Sequence, residues 1–216
     1  MDSVTGVGVL DKAVAVMQVV ATAPCTLGEL QASTGLPRAT AHRLATALET
    51  HGFLRRDADG RFDLGLGLVS LGEVAAARFP LVELARQVLE QLRDDTGESV
   101  QLFVREGDQR RCVLSLESTH GLRWIVPQGA LMPLDVGSAG RVLSGETSRT
   151  GWIESIGERE PGVASVSAPV VGGGGVVVGA LSVSGPIERL TRQPGRRFGA
   201  AVAEAAARLS TSGLAG

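Results

Sequence analysis

The alternation of apolar and polar residues changes period several times along the chain, and each change marks an element. Over residues 9–23 apolar side chains recur at helical spacing, at Leu10, Val14, Met17, Val20 and Ala21, until Pro24 stops the run. Thr26 with Glu29 three residues on is a capping-box pattern, and it opens a short helix over 27–33. Gly35 suits the left-handed residue that ends it. Pro37 suits the first turn of a third helix, which runs to about residue 51 with Ala41, Leu44, Ala45 and Leu48 inward and Gly52 as its stop. Residues 53–56 and 61–64 then alternate around "DADG", which is hairpin chemistry. A helix over 66–77, ending near Pro80, reads as a linker between two domains.

The second region mixes periods. Leu84, Val88 and Leu92 set a helix over 81–95, closed by "TGES". Strand-like runs follow at 100–105, 112–117 and 124–126, and "GSAGRVLSG" suggests a short helix of small residues. Residues 163–171 and 176–184 form two further strands joined by "GGGG", and an alanine-rich helix over 194–210 ends the pattern. This region is α+β with a mainly antiparallel sheet.

Two helices joined by a short glycine turn are the helix-turn-helix pattern, in which the second helix enters the major groove with its N-terminal residues at the base edges. Those residues here are Pro37, Arg38, Ala39, Thr40 and His42, with Arg43 next. Arg38 and Arg43 can pair with guanine edges or phosphates, and Thr40 with a phosphate or a thymine methyl. Thr26 and Thr34 are expected at helix starts, where backbone N–H groups also face phosphate. The hairpin reads as a wing carrying Arg55, Arg56 and Arg61 toward the backbone or minor groove. A winged helix also serves as a protein-interaction module, and exposed arginines also simply solvate a helix.

Charge narrows this picture. The formal net charge is −2, so any contact with nucleic acid must be local. Between residues 36 and 62 five arginines face three acids, and those arginines fall at the expected contact points. Lys12 is the one lysine among 21 basic residues, a bias that a GC-rich genome explains. Cys25 and Cys112 lie far apart, and His42, His51 and His120 are scattered, so neither a disulfide framework nor a metal site is expected. There is no basic n-region before an apolar core, and no uncharged run of membrane-spanning length, so the expected location is the cytoplasm, with no membrane partner.

Three segments resemble the IclR family of bacterial transcription regulators. "LPRATAHRLATALETHGFLRRDADGRFDLG" resembles its winged helix-turn-helix, and "VPQGALMPLDVGSAGRVLSG" the loop-helix element of its effector domain. "GVASVSAPVVGGGGVVVGALSVSGP" resembles its terminal strand pair and is the most specific of the three. The resemblance covers essentially the whole chain. "SIGEREPGVASVSAPV" and "SGPIERLTRQPGR" are most similar to actinobacterial members like NdgR, regulators linked to amino-acid biosynthesis. The resemblance implies a winged head over 1–65, a linker helix over 66–79 and a GAF-like effector domain over 80–216. It also implies homodimers or homotetramers on a pseudo-palindromic operator in double-stranded DNA, with a small organic effector and no cofactor.

The family's ligand-contacting positions map onto Trp124, Met132, Ser138, Ala139, Ser155, Ser165, Ser182 and Ser184. The family often has aspartate at the Ser155 position and cysteine at the Ser165 position, which departs from its usual small-acid binding. A larger departure lies between "GRVLSGE" and "GWIESIGERE", where the family normally carries a few dozen helical residues and this chain has only "TSRT". That is either a true deletion near 146–150 or a disordered stretch missing from the chain.

Strand period alone puts Ser182 and Ser184 on one face against Leu181 and Val183, and Ser165 with Ser167 against Val166. Hydroxyls on one side, with Trp124 and Met132 as apolar walls, suit a small-molecule pocket. The same face equally suits a packed helix. Enzymatic readings find no support. "VVGGGGVVVG" lacks the Gly-Lys-Ser/Thr ending of a phosphate loop, and neither "DVGSAG" nor "LSVSG" has the nucleophile-elbow glycines. His120 reads as a loop residue, Asp94 and Asp95 as a solvated helix end, and Glu158, Arg159 and Glu160 as an exposed charge cluster. No paired acid and base emerge, and the expectation is a regulator, not an enzyme.

Overall fold

The computed structural model describes residues 7–77 and 80–211. The chain divides into two compact units, Met1–Arg78 and Phe79–Gly216. The first contains α1 (Gly8–Thr22), α2 (Leu27–Thr34), α3 (Arg38–Thr50), β1 (Leu54–Arg56), β2 (Phe62–Leu64) and α4 (Leu66–Ala77). Its core gathers Val16, Val20, Leu30, Leu36, Ala41, Leu44, Ala45, Leu48, Leu54 and Phe62. The inner face expected for α3 is therefore the observed one. The face expected for α1 is met only in part: Val20 is buried and Met17 half-buried, but Leu10, Val14 and Ala21 are exposed, and Val16 is buried in their place. This helix is apolar on two sides, so the period alone could not choose between them.

Local chemistry sets the boundaries. The Thr26 hydroxyl accepts from the Glu29 backbone N–H at 3.3 Å, and the Glu29 carboxylate accepts from the Thr26 N–H at 2.7 Å, completing the capping box. Gly35 adopts φ +67° and donates to Gln31 O, ending α2. β1 and β2 pair antiparallel with Arg55 opposite Asp63. Phe62 also exchanges two backbone bonds with Cys25, so the hairpin is stitched to the α1–α2 connection. A Cβ on Gly65 would collide with the Gly52 carbonyl, which accepts from Gly67 N at 3.0 Å. The glycines thus let α4 start hard against the end of α3.

The second unit contains α5 (Pro80–Thr96), β3 (Ser99–Glu106), β4 (Gln109–Leu116), β5 (Leu131–Pro133), α6 (Ser138–Leu143), β6 (Ile153–Ile156), β7 (Val163–Val171), β8 (Val177–Pro186), α7 (Ile187–Leu190) and α8 (Pro194–Thr211). Six strands form one sheet in the order β5-β4-β3-β8-β7-β6, every pair antiparallel. Val100, Leu102, Val166, Ala168, Leu181 and Val183 turn one face toward α5 and α8. α8 meets it with Phe198, Val202, Ala205, Ala206 and Leu209, a stripe at helical spacing. Each large apolar side chain so buried contributes about 1.5–3 kcal/mol. The opposite face, under α6, carries Phe103, Cys112 and Ala180 together with the buried polar residues.

Three expectations change here. Residues 124–126 are not a strand: pairing with β4 begins only at β5, after the turn at Pro127–Ala130, and proline has no N–H to offer a ladder. The inward face of α5 is Leu81, Ala85, Leu89 and Leu92, whereas Leu84 is exposed. β6 and α7, which no pattern announced, are present. The short connection at 146–150 is a closed turn, with Arg141 gripping Glu146 through two bonds of 2.8 and 2.6 Å and Gly151 N donating to Ser148 O.

Candidate nucleic-acid interface and ligand cavity

At the start of α3 the side chains of Arg38, His42 and Arg43 are exposed, as is Pro37, and Thr40 is half-buried. Leu44, Ala41, Ala45 and Leu48 hold the other side of the helix in the core, so this face is fixed outward by the packing. Pro37 precedes the helix with no side-chain cap, leaving the first N–H groups of α3 open. Arg38 and Arg43 make no ion pair or side-chain hydrogen bond among the described residues.

The wing arginines differ. Arg55 pairs with Asp63 and donates to Leu64 O. Arg56 stacks 4.0 Å from the Phe62 ring centre, donates to Gly60 O and lies 3.6 Å from Glu49. Arg61 donates to Pro24 O and lies 3.5 Å from Glu29. All three brace the hairpin while their side chains stay partly accessible to solvent. The placement of Thr34 is corrected. It ends α2 instead of starting a helix, it is buried, and its hydroxyl donates to Leu30 O while accepting from Leu36 N. Thr26 does start α2, but its N–H and hydroxyl both go to the Glu29 carboxylate. Those bonds hold the Glu29 carboxyl below its ordinary range.

In the second unit the sheet register builds a polar floor. Ser155 lies opposite Ser165, Ser165 opposite Ser184, Ser167 opposite Ser182, and Ser182 opposite Gln101. α6 covers this floor with Ser138, whose hydroxyl sits 2.7 Å from both Ser165 and Ser167. Ser167 continues to Ser182 at 2.9 Å, and Ser184 donates to Gln101 Oε1 at 2.9 Å. Around this network closes a cavity of about 30 Å³. Of the eight positions expected at the ligand, seven line it: Trp124, Ser138, Ala139, Ser155, Ser165, Ser182 and Ser184. Met132 does not. It packs on β5 among Leu134, Cys112 and Leu143.

Residues that the pattern did not single out complete the walls. Gln101, Phe103 and Arg110 enter from β3 and β4, and Arg159 from the loop after β6. Arg110 donates to Val136 O at 2.7 Å and to Pro133 O, so it also anchors the loop leading into α6. Its guanidinium is pushed down to about 10, first by burial and then by the like charge of Arg159. Arg159 lies 4.7 Å over the Trp124 ring, and Glu158 accepts from Gly137 N and from Arg141. The 158–160 segment is thus exposed but engaged, which its sequence did not reveal. A legible signal existed for Gln101: it is the one polar residue within the apolar run over 100–104. Burial pushes the Cys112 thiol up to about 12, so it stays a packed, inert thiol. Among the described residues no group of His, Cys, Asp or Glu could hold a metal ion, and no helix is long and apolar enough to cross a membrane.

Comparisons with known proteins bear on both surfaces. A profile of the IclR helix-turn-helix domain matches residues 9–58, and one of the bacterial transcriptional regulator IclR C-terminal region matches 74–149 and 145–211. The second match is broken where the connection is short. The HTH-type transcriptional regulator KipR of Bacillus subtilis is 36% identical over 55% of this chain and 47% of its own length. The glycerol operon regulatory protein of Streptomyces coelicolor is 28% identical over 85% of this chain and 87% of its own. The crystal structure of the Thermotoga maritima IclR superposes with TM-score 0.74 at 20% identity, covering 94% of this chain and 97% of that one. An IclR homologue from Microbacterium hydrocarbonoxydans complexed with 4-hydroxybenzoate gives 0.75 at 21%, covering 94% and 98%.

Proposed function

The chain belongs to the IclR family of DNA-binding transcriptional regulators, and from that premise we propose that it reads an operator with the exposed start of α3 and answers to a small organic effector held under α6. The observation that carries the first half is the pair Arg38 and Arg43, uncommitted on an outward helix face beside open N–H groups. Such groups gain contacts with base edges and phosphates without breaking any of their own. Thr40 and His42 lie on the same turn, and Thr26 would contribute only through the remaining N–H groups of α2.

The effector half rests on the cavity and on the ligand-bound homologue. Its volume is about that of one water molecule, far below the roughly 300–1,000 Å³ of a metabolite pocket, so binding must open it. A ligand that prefers the opened form shifts the protein toward it, and that differential affinity is the only source of a signal. The 66–79 segment, as linker between a head over 1–65 and a GAF-like effector domain over 80–216, would carry the change. Two heads in a homodimer, or four in a homotetramer, would read a pseudo-palindrome in the cytoplasm. We infer kinship with the actinobacterial NdgR-like subgroup, and hence control of amino-acid metabolism, from the "SIGEREPGVASVSAPV" segment.

Selection of genomic fragments by the purified protein, followed by anisotropy across salt, tests the reading. Tight binding that resists competitor and weakens with salt is expected, with amino-acid genes beside the fragment. No enriched fragment, with or without added amino acids, would instead turn the winged head toward a protein partner. Ser184→Ala should blunt the effector response and leave operator affinity intact, because Ser184 lies in the cavity and orients Gln101. A normal dose-response in that variant would remove the effector assignment.

A further inference from the structure

We propose that Ala39 and Thr46 are specificity-determining residues of α3, and that the base feature they select is the 5-methyl group of thymine. The inference rests on the operator reading and deepens it, from a face that meets DNA to the base chemistry that the face prefers. It starts from helical geometry. A helix in the major groove presents one row of side chains to the base edges, and residues at i, i+3, i+4 and i+7 share such a row.

Ala41, Leu44, Ala45 and Leu48 are buried in the core of the first unit. The row on the opposite side of α3 is Ala39, His42, Arg43 and Thr46, and every one of them is exposed. Thr40 is half-buried and lies off this row. Thr50, a turn beyond Thr46, gives its hydroxyl to Thr46 O at 3.0 Å, and Glu49 beside it adds a carboxylate that phosphates avoid. The row that can meet DNA therefore ends at Thr46. Its hydroxyl differs from those of other helical threonines. Thr22 donates to Val19 O and Thr34 to Leu30 O, each at 2.7 Å, the usual return of such a hydroxyl to its own helix. Among the described residues the Thr46 side chain makes no hydrogen bond. It offers a methyl and an unspent hydroxyl at the surface, and Ala39 offers a methyl alone. In the major groove the matching apolar feature is the thymine 5-methyl, which alanine and threonine methyls contact. The Thr46 hydroxyl can add a bond to the thymine O4 beside that methyl. Both side chains are short, so they reach bases only when the helix lies close, and a close helix buries the methyls. Ala39 and Thr46 are about 10 Å apart along the helix, roughly three base-pair steps. They read two different thymines, with His42 and Arg43 between them.

The test uses the full chain and a synthetic duplex of the fragment selected from genomic DNA. Each thymine is replaced in turn by deoxyuridine, which removes the methyl and leaves every hydrogen-bonding group in place. Anisotropy titrations should show two positions in each half-site that lose about fourfold in affinity, the effect of one buried methyl, while the other positions do not change. Thr46→Ser keeps the hydroxyl and drops the methyl. It should bind the thymine duplex about fourfold more weakly and no longer distinguish deoxyuridine at one of those positions. Thr46→Val should keep that distinction. Ala39→Gly should erase the distinction at the other position, and the two Thr46 variants stand alone if glycine loosens the start of α3. Tolerance of deoxyuridine at every position, or a Thr46→Ser variant that discriminates as the wild type does, would overturn the proposal. The two readings fail differently. Specific binding that Arg43→Ala weakens, with every methyl dispensable, would keep the operator reading and sink the methyl assignment. No selected fragment at all would remove both.

Discussion

Helix α3 and the β1–β2 hairpin carry the same residue in opposite states. On α3, Arg38 and Arg43 are exposed and uncommitted. On the hairpin, Arg55, Arg56 and Arg61 already hold Asp63, Glu49, Phe62, Pro24 and Glu29. A free arginine meeting a phosphate gains an interaction, whereas a paired one exchanges an old partner for a new one. Counting arginines along a stretch therefore overstates the wing. What matters for binding is the number not already answered within the fold.

The largest expected effect tests the free pair. Arg43→Ala or Arg38→Ala should weaken operator binding by about 1–3 kcal/mol each. The melting temperature should stay put, since neither side chain is packed. If the lost contact is to phosphate, the salt slope falls by about one, and if it is to a base edge, discrimination at one position relaxes. Anisotropy titrations across salt read both. Wild-type affinity in both variants would move the DNA-binding face off α3.

Arg61→Ala should invert that pattern. Its bond to Pro24 O reinforces the backbone bridge between Cys25 and Phe62, so its loss should destabilise the head by about 1 kcal/mol. DNA affinity should change less than in Arg43→Ala. Urea unfolding beside the same titrations separates the two. A stable variant that has lost DNA would return the wing to direct contact.

The contrast also shows what could be read in advance. The helix-turn-helix was legible because its signals are local: a capping box at Thr26, a left-handed Gly35, Pro37 before α3 and a clean inner face from Ala41 to Leu48. The sheet's two faces were legible because period two leaves serine and leucine no choice of side. Pairing was not. Nothing in Arg61 announces Pro24, and nothing in Arg110 announces Val136, because those partners meet only through the tertiary fold. Thr34 failed for a related reason: threonine suits either end of a helix, and the Gly35 that follows decides which. The serine row was foreseen as a set of donors, yet its hydroxyls largely answer one another. The donors left over are Gln101 and Arg110, which a search for serines passes over.

The smallest effect gives the finest reading of the comparison. The Arg55–Asp63 pair is exposed, with side chains 56% and 23% accessible, and such pairs contribute about 0–1 kcal/mol to stability. Removing Asp63 therefore costs the fold little while freeing the Arg55 charge from its acidic partner, with only the Nε bond to Leu64 O left in place. If the wing lies beside the DNA backbone, Asp63→Ala should tighten operator binding by up to about 1 kcal/mol, with a steeper salt dependence. Arg55→Ala in the same background should erase that gain. The pair of variants, titrated against one operator at several salt concentrations, measures whether a freed wing arginine finds a phosphate. Unchanged affinity in Asp63→Ala would leave the wing as a brace for the head and α3 as the surface that binds.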